Sequence, residues 1–355
     1  MIYNFNAGPS ILPQAVLDEA SKSVLNFNNS GLSILEIGHR TPLFESVMEE
    51  ARSLVRELMN LDEDHEVLFL HGGATTQFMQ VPMNLLDTNE TAAYANTGVW
   101  GIKAIKEAKL FGNVNVVCTS EEKNFNYIPK NFTVPGDSKY FHLTSNNTIY
   151  GTQWHEFAET GVPLIADMSS DILSRVLDFN SFDLIYAGAQ KNMGAAGVNL
   201  VVINKNLTGK IQRAIPSIMD YRNHIKEKSM LNTPPVFAIY VSMLTLRWLK
   251  ENGGVAEMEK RNNQKAELLY NAIDNSSIFK ATAQKEDRSK MNVCFVMEDQ
   301  TLEKKFLDFA KENNIYGIKG HRLVGGFRAS LYNALPLSSV QYLVEKMKQF
   351  EDSKS

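Results

Sequence analysis

Between residues 66 and 204 the chain repeats one pattern: a short run that is almost wholly apolar, then a glycine-bearing turn or a helix-like segment. The runs are EVLFL (66–70), AAYAN (92–96), VNVVC (114–118), KYFHL (139–143), PLIAD (163–167), DLIYAG (183–188) and NLVVIN (199–204). A strand wetted on one side alternates polar and apolar residues, whereas a strand covered on both faces reads as a continuous apolar run. Seven such runs, spaced by turns and helices, predict an α/β fold with a mostly parallel sheet sandwiched between helices. Pro13 opens one helical pattern, and another starts at Pro42, with Leu43, Val47, Ala51, Leu54, Val55 and Leu58 at three- to four-residue spacing.

Near residue 251 the pattern changes. ENGGVAEMEKRNNQKAELLYNAI reads as a turn and a long polar-faced helix. NVCFVM (292–297), a helix near 301–313, a glycine-rich segment (317–326), RASLYN (328–333) and a last helix from Pro336 follow. This predicts a large unit over 14–255 and a smaller α+β unit over 256–355, joined by residues 1–13.

Hydrophobic residues make up 44% of the 355, enough for a large core, and the net charge of −4 gives no bulk signal for nucleic acid or a membrane surface. The longest apolar window, VFAIYVSMLTLRWL (236–249), is interrupted by Ser, Thr and Arg and falls short of the roughly 20 residues that span a bilayer. MIYNFNAGPS has no basic stretch leading into an apolar one. Cys118 and Cys294 lie in apolar runs and read as buried, reduced thiols. A soluble cytoplasmic protein is expected.

Parallel sheets bind ligands beyond the carboxyl ends of their strands. Those ends here carry His71-Gly72-Gly73-Ala74-Thr75-Thr76-Gln77, then Thr97-Gly98-Val99-Trp100-Gly101, then Thr144 to Thr148, then Asp167 to Ser170, and finally Gln190-Lys191. A lysine at a strand end ordinarily caps it at the surface. Followed by NMGAAG, Lys191 also suits a Schiff base with a carbonyl cofactor, because a desolvated lysine releases its proton more readily. Asp167, alone, reads as a helix cap for SSDILSRVL; paired with Lys191 it suits the carboxylate that a pyridoxal phosphate ring needs at its nitrogen. Two glycines between a strand and a helix start aim backbone N–H groups at an anion such as a phosphate. Trp100 reads either as core or as a flat wall for a cofactor ring, and Thr148 either as a turn residue or as a cofactor contact.

His39-Arg40, His321-Arg322 and Arg328 are basic groups flanked by Gly38, Gly320, Gly325 and Gly326. Guanidinium groups match carboxylates and phosphates, which predicts a small, multiply anionic substrate. A strict two-residue hairpin at LVGGFR would point Arg322 and Arg328 to opposite sides, so an irregular loop is required for both to reach one ligand. The scattered histidines have no zinc spacing, and no G-x-S-x-G elbow occurs.

NFNAGPSILP, GHR (38–40), HGGATTQF, NTGVW, ADMSSDILSR, YAGAQKNMGAAG, NTPP (232–235) and KGHRLVGGFRASLYNA together resemble the phosphoserine aminotransferases over almost the whole chain. The resemblance implies a fold-type I, pyridoxal-phosphate-dependent aminotransferase of the serine pathway. Such enzymes move an amino group from glutamate to 3-phosphooxypyruvate; 4-phosphooxy-threonine, in pyridoxine biosynthesis, is a further candidate substrate. It implies that Lys191 carries the cofactor, Asp167 pairs with the ring nitrogen, Trp100 stacks on the ring and Thr148 contacts it. Ala74, Thr75 and Gln190 are implied to hold the cofactor phosphate, with Asn232 and Thr233 reaching over from the second subunit of a homodimer. Arg40, His39, His321, Arg322 and Arg328 are implied to bind substrate. Many family members have an arginine where this chain has Thr75. The rival readings are another fold-type I enzyme, such as an alanine–glyoxylate or serine–pyruvate aminotransferase, and a catalytically silent binding protein on the same scaffold.

Overall fold

A computed structural model describes residues 2–157 and 159–354. In chain order the strands are β1 (Tyr3–Asn4), β2 (His65–His71), β3 (Thr91–Asn96), β4 (Asn113–Thr119), β5 (Phe141–Thr144), β6 (Asn146–Asn147), β7 (Thr152–Gln153), β8 (Leu164–Asp167), β9 (Leu184–Gly188), β10 (Val198–Asn204), β11 (Phe279–Ala281), β12 (Asn292–Met297), β13 (Ile315–Tyr316) and β14 (Phe327–Ser330). The seven apolar runs all enter one seven-stranded sheet, in the order β2-β10-β9-β8-β5-β3-β4. Neighbours are parallel except β10, which runs antiparallel to both β9 and β2.

The continuous apolar runs have the cause expected of them. In β2, Val67 and Phe69 face one core while Leu68 and Leu70 face another; Leu200 and Val202 against Val201 and Ile203 repeat this in β10. The first core is covered by α1 (Gln14–Leu25), α2 (Pro42–Met59) and α6 (Val236–Glu251), the second by α3 (Gly73–Leu85), α4 (Val99–Ala108) and α5 (Tyr221–Lys226). Strand β4 is the exception: it lies at the sheet edge, mostly wet, with Val116 exposed and Cys118 buried. The 236–249 apolar window is α6, buried on nearly every side. No helix among the described residues is long and apolar enough to cross a membrane.

Helix α2 begins at Pro42, where the missing N–H costs nothing, and stops at Asn60 in a left-handed conformation. The crossovers from β5 to β8 and from β8 to β9 contain no α-helix among the described residues. SSDILSRVL, expected to continue as a helix capped by Asp167, is instead a chain of tight turns in which Leu173 takes a φ of 55°. Its polar side chains are engaged elsewhere: Asp171 accepts from the Ser145 hydroxyl, from Gln153 Nε2 at 3.1 Å and from Arg175 at 3.2 Å, all buried. Tertiary hydrogen bonds override the local helical preference there.

A third core, built on Phe279, Phe295, Phe306 and Phe327, joins the antiparallel sheet β11-β12-β14 to α7 (Gly254–Asp274), α8 (Glu303–Glu312) and α9 (Leu337–Asp352). Phe5 belongs to this core, and β1 pairs in parallel with β13. The N-terminal segment thus lies on the C-terminal unit before passing the large sheet.

Candidate active site

The register of the sheet brings its chemistry together. Thr144 sits opposite Asp167, and Asp167 opposite Tyr186, so β5 and β8 end at one level and β9 runs two residues further, to Gly188. A cavity of about 180 Å³ opens at that edge. Gly72, Gly73, Ala74, Thr75, Trp100, Thr148, Asp167, Gln190 and Lys191 line it, together with Phe78, Thr144, Asn146, Ser169 and Ser170. The sequence therefore located most of this wall, through the simple rule that strand ends carry the ligand site.

Lys191 follows β9. Its Nζ donates to Thr148 Oγ1 at 2.9 Å and lies 6.0 Å from the centre of the Trp100 ring. Burial lowers its proton affinity to about 8, with Arg328 acting in the same direction and Asp167 opposing. Asp167 is buried, and burial raises its proton affinity; hydrogen bonds from Ser169 and the charge of Lys191 oppose that rise. Two groups pulled from their ordinary values in one cavity are characteristic of a reactive site. The Asp167 carboxylate accepts on Oδ1 from Ser169 N (3.0 Å) and Ser169 Oγ (2.6 Å); Oδ2 has no partner among the described residues.

The end of the cavity suited to a phosphate is the start of α3. Gly72 and Gly73 have φ of 87° and 64°, and no side chain caps the helix, which leaves its first N–H groups open to an anion. A Cβ on Gly72 would meet Thr76 Oγ1 at 2.0 Å and Thr76 Cβ at 2.8 Å, so a side chain there would force Thr76 to shift. Thr76 thus folds back over the turn, while Thr75 faces the cavity. These features fit pyridoxal phosphate: backbone donors for its phosphate, an indole wall, an unpaired carboxylate oxygen and a neutralisable amine. The Thr144 hydroxyl, buried and unpartnered among the described residues, is a further polar group in the same wall.

The basic groups lie outside this cavity. Arg328, on β14, donates to the Thr148 carbonyl at 3.3 Å, and its Nε is buried without a partner among the described residues. Arg322 is exposed, on a loop whose turn is closed by Val324 N and Gly325 N donating to the His321 carbonyl (both 2.9 Å). Lys319 pairs with Phe327 and Gly320 N donates to the Gly326 carbonyl at 2.8 Å, so LVGGFR lies in a longer, irregular loop rather than a two-residue hairpin, as joint action of Arg322 and Arg328 requires. Burial, then Arg328, Arg322 and Lys103, hold His321 below its ordinary proton affinity, a mark of crowded positive charge. Arg40 is exposed and His39 half-buried, in a bend where Thr41 N donates to the Gly38 carbonyl. Asn232 and Thr233 do not reach the cavity of their own chain; the Thr233 carbonyl instead bonds His71 Nε2 at 2.9 Å, just beyond β2.

Sequence reasoning passed over two features. Ser169 was legible only as one of several hydroxyls after a strand. The N-terminal segment gave no sign of its contact with the lysine: Ser10 N donates to the Gln190 carbonyl at 2.9 Å and its hydroxyl to the Lys191 carbonyl. Gly8, with a φ of 144°, lies against the Lys191 side chain: a Cβ there would touch it at 3.5 Å. The motif NAGPS was the available signal, but its partner lies 181 residues away.

Residues 2–343 match the family model described as Aminotransferase class-V. A curated phosphoserine aminotransferase of Flavobacterium johnsoniae is 56% identical over 350 residues, 98% of each chain. The solved phosphoserine aminotransferase from Bacillus circulans subsp. alkalophilus superposes with a TM-score of 0.98 at 43% identity, covering 100% of this chain and 99% of that one. The pyridoxal-phosphate-bound phosphoserine aminotransferase from Trichomonas vaginalis gives 0.93 at 36% identity, covering 98% and 100%.

Proposed function

The chain belongs to the class-V aminotransferases, and from that premise we propose which of its residues perform the reaction and how. Its activity is that of a pyridoxal-phosphate-dependent phosphoserine transaminase, passing an amino group between glutamate and 3-phosphooxypyruvate to give O-phosphoserine and 2-oxoglutarate. The observation that carries the reading is the single cavity in which an easily deprotonated Lys191, a buried Asp167 and the open N-terminus of α3 meet.

When bound, pyridoxal phosphate supplies an electron-poor ring that takes up the electron pair freed as the substrate's Cα–H bond breaks. The N–H groups of the Gly73–Thr75 turn, with Gln190, hold its phosphate, and Asp167 holds its ring nitrogen. Trp100 keeps the ring flat against the wall. Lys191 would anchor the group through its amine and, when that amine is free, would take the proton from the substrate Cα as base and give it back as acid. Its lowered proton affinity is what allows it to accept a proton near neutral pH. Thr148 orients the amine by its 2.9 Å hydrogen bond. Arg328 takes the substrate carboxylate, and Arg40, His39, His321 and Arg322 take the distal phosphate or γ-carboxylate.

The rest of the proposal concerns assembly. The protein acts in the cytoplasm as a homodimer, Asn232 and Thr233 of a second copy completing the phosphate pole. Residues 14–255 form the cofactor-binding unit, and 256–355 with 1–13 the unit that brings Arg328 to the site. Thr75, in place of an arginine, holds the phosphate by N–H and hydroxyl alone.

The test is purified protein with glutamate and 3-phosphooxypyruvate, with the unphosphorylated keto acid as control. Amino transfer should turn over with the phosphorylated acceptor and not with the control, and Lys191→Ala should abolish it. Equal turnover of both acceptors would instead favour an aminotransferase of the alanine–glyoxylate type.

A further inference from the structure

Ser169 is buried, 7% exposed, and lines the cavity two residues beyond Asp167. Its hydroxyl makes two hydrogen bonds whose directions fix each other. Gly188 N, at the end of β9, lies 3.1 Å from Ser169 Oγ. A backbone N–H can only donate, so the hydroxyl accepts there. Its single proton is left for Asp167 Oδ1, 2.6 Å away, within the range of a charge-assisted O–H···O⁻ bond. Ser169 N donates to the same oxygen at 3.0 Å. Oδ1 therefore meets two donors and has no room for a proton of its own, while Oδ2 is the oxygen without a partner among the described residues.

From this geometry we propose that Ser169 is a positioning residue: its hydroxyl, polarised by the Gly188 N–H, occupies Oδ1 of Asp167 and reserves Oδ2 for the protonated ring nitrogen of the cofactor. The proposal rests on the reading of Asp167 as the partner of that nitrogen. The arrangement also ties the carboxylate to the strand end that carries Lys191, because Gly188 is three residues before it. Without the hydroxyl, Oδ1 keeps one donor and Gly188 N–H has none.

The groups facing Asp167 set what remains. Lys191, from the turn after β9, favours the ionised carboxylate, while Asp171, from the turn after β8, disfavours it. Asp171 is itself paired with Arg175 at 3.2 Å. From β9 comes Tyr186, opposite in register and too strongly buried to ionise; its hydroxyl meets His142 Nε2, on β5, at 2.8 Å. Burial keeps His142 neutral. Lys191 and Ser169 are thus the groups that favour the ionised form of Asp167 against its burial.

The experiment is equilibrium dialysis of the full-length holoenzyme over pH 5 to 9, reading the pyridoxal phosphate retained, for wild type, Ser169→Ala, Ser169→Cys, Ser169→Thr and Asp167→Asn. Ser169→Ala is expected to weaken retention about tenfold at pH 7 and to move the acidic midpoint of retention up by about one pH unit, the usual size of a lost hydrogen bond to a carboxylate. Ser169→Cys keeps the volume with a weak donor and should fall between, and Ser169→Thr should restore both quantities. A purely structural role would lower the melting temperature and leave the midpoint in place. If Asp167→Asn weakens retention and neither the Ala nor the Cys variant moves the midpoint, the role of Ser169 is overturned alone. If Asp167→Asn retains cofactor like wild type, the reading of Asp167 falls as well.

Discussion

Lys191 and Thr148 lie 43 residues apart in sequence and are joined by a 2.9 Å hydrogen bond from Nζ to Oγ1. The same Thr148 accepts from Arg328 through its carbonyl at 3.3 Å, so one residue touches both the amine proposed to move the proton and the guanidinium proposed to meet the substrate.

The depressed proton affinity of Lys191 has a cost in stability. Its value falls from 10.5 to about 8 through burial. Between those two pH values the unfolded chain holds more protons than the folded one, so the stability of the cofactor-free chain rises with pH across that window. Below about pH 8 the whole cost, about 3 kcal/mol, remains. Lys191→Met should lack this rise. Urea unfolding of both chains at pH 7.5 and 10 measures it; parallel curves for the two would contradict the shift.

Arg328→Lys keeps the charge and loses the planar fork. With Nε buried and one amino group committed to Thr148, the remaining donors suit a carboxylate in two-point contact. The KM of both glutamate and the phosphorylated keto acid should rise about 10- to 100-fold, with kcat less affected, because charge-assisted hydrogen bonds contribute about 1.5–3 kcal/mol. Steady-state kinetics on both substrates checks this.

Gly320→Ala tests the loop that presents His321 and Arg322. A Cβ there would lie 1.9 Å from the Gly325 carbonyl oxygen, a backbone atom that cannot step aside. The loop must open, at about 1–3 kcal/mol. The KM for the phosphorylated acceptor should rise more than cofactor affinity falls, since the cofactor cavity does not include this loop.

Lys265 is almost wholly buried and donates to the carbonyls of Leu331 (2.8 Å), Tyr332 (2.9 Å) and Leu335 (3.1 Å). These carbonyls hold the turn between β14 and α9, and that turn reaches the lysine loop: Asn333 N donates to Asn192 Oδ1 at 3.0 Å. Lys265→Met keeps the volume and leaves the Leu331 and Leu335 carbonyls without their lysine donor, while the Tyr332 carbonyl keeps only the bond from Leu335 N at 2.9 Å. The expected loss is about 3 kcal/mol, read as a lower urea midpoint.

Of the fold, the seven sheet strands and the helices at Pro13, Pro42 and Pro336 were legible because burial on both faces and helical spacing both leave a periodic trace. The edge position of β4 was not, since VNVVC is as apolar as its buried neighbours. The turns of 168–175 read as a helix for the same reason: their spacing is helical, and the buried partners of Asp171 are invisible locally. Of the site, Lys191, Asp167 and Trp100 were found by their place at strand ends; Ser169 and Ser10 became meaningful only through their hydrogen bonds.

By itself the sequence determined which segments are buried, where they end and which reactive groups stand at those ends. Burial pattern and residue chemistry are local properties and survive in one dimension. The tertiary structure alone decided which of those groups meet and in what state. Lys191 loses its proton easily because of what packs around it, and one oxygen of Asp167 is engaged by a hydroxyl that Gly188, nineteen residues further along the chain, orients. Desolvation and hydrogen-bond direction depend on neighbours brought in by chain closure, and no local pattern records them.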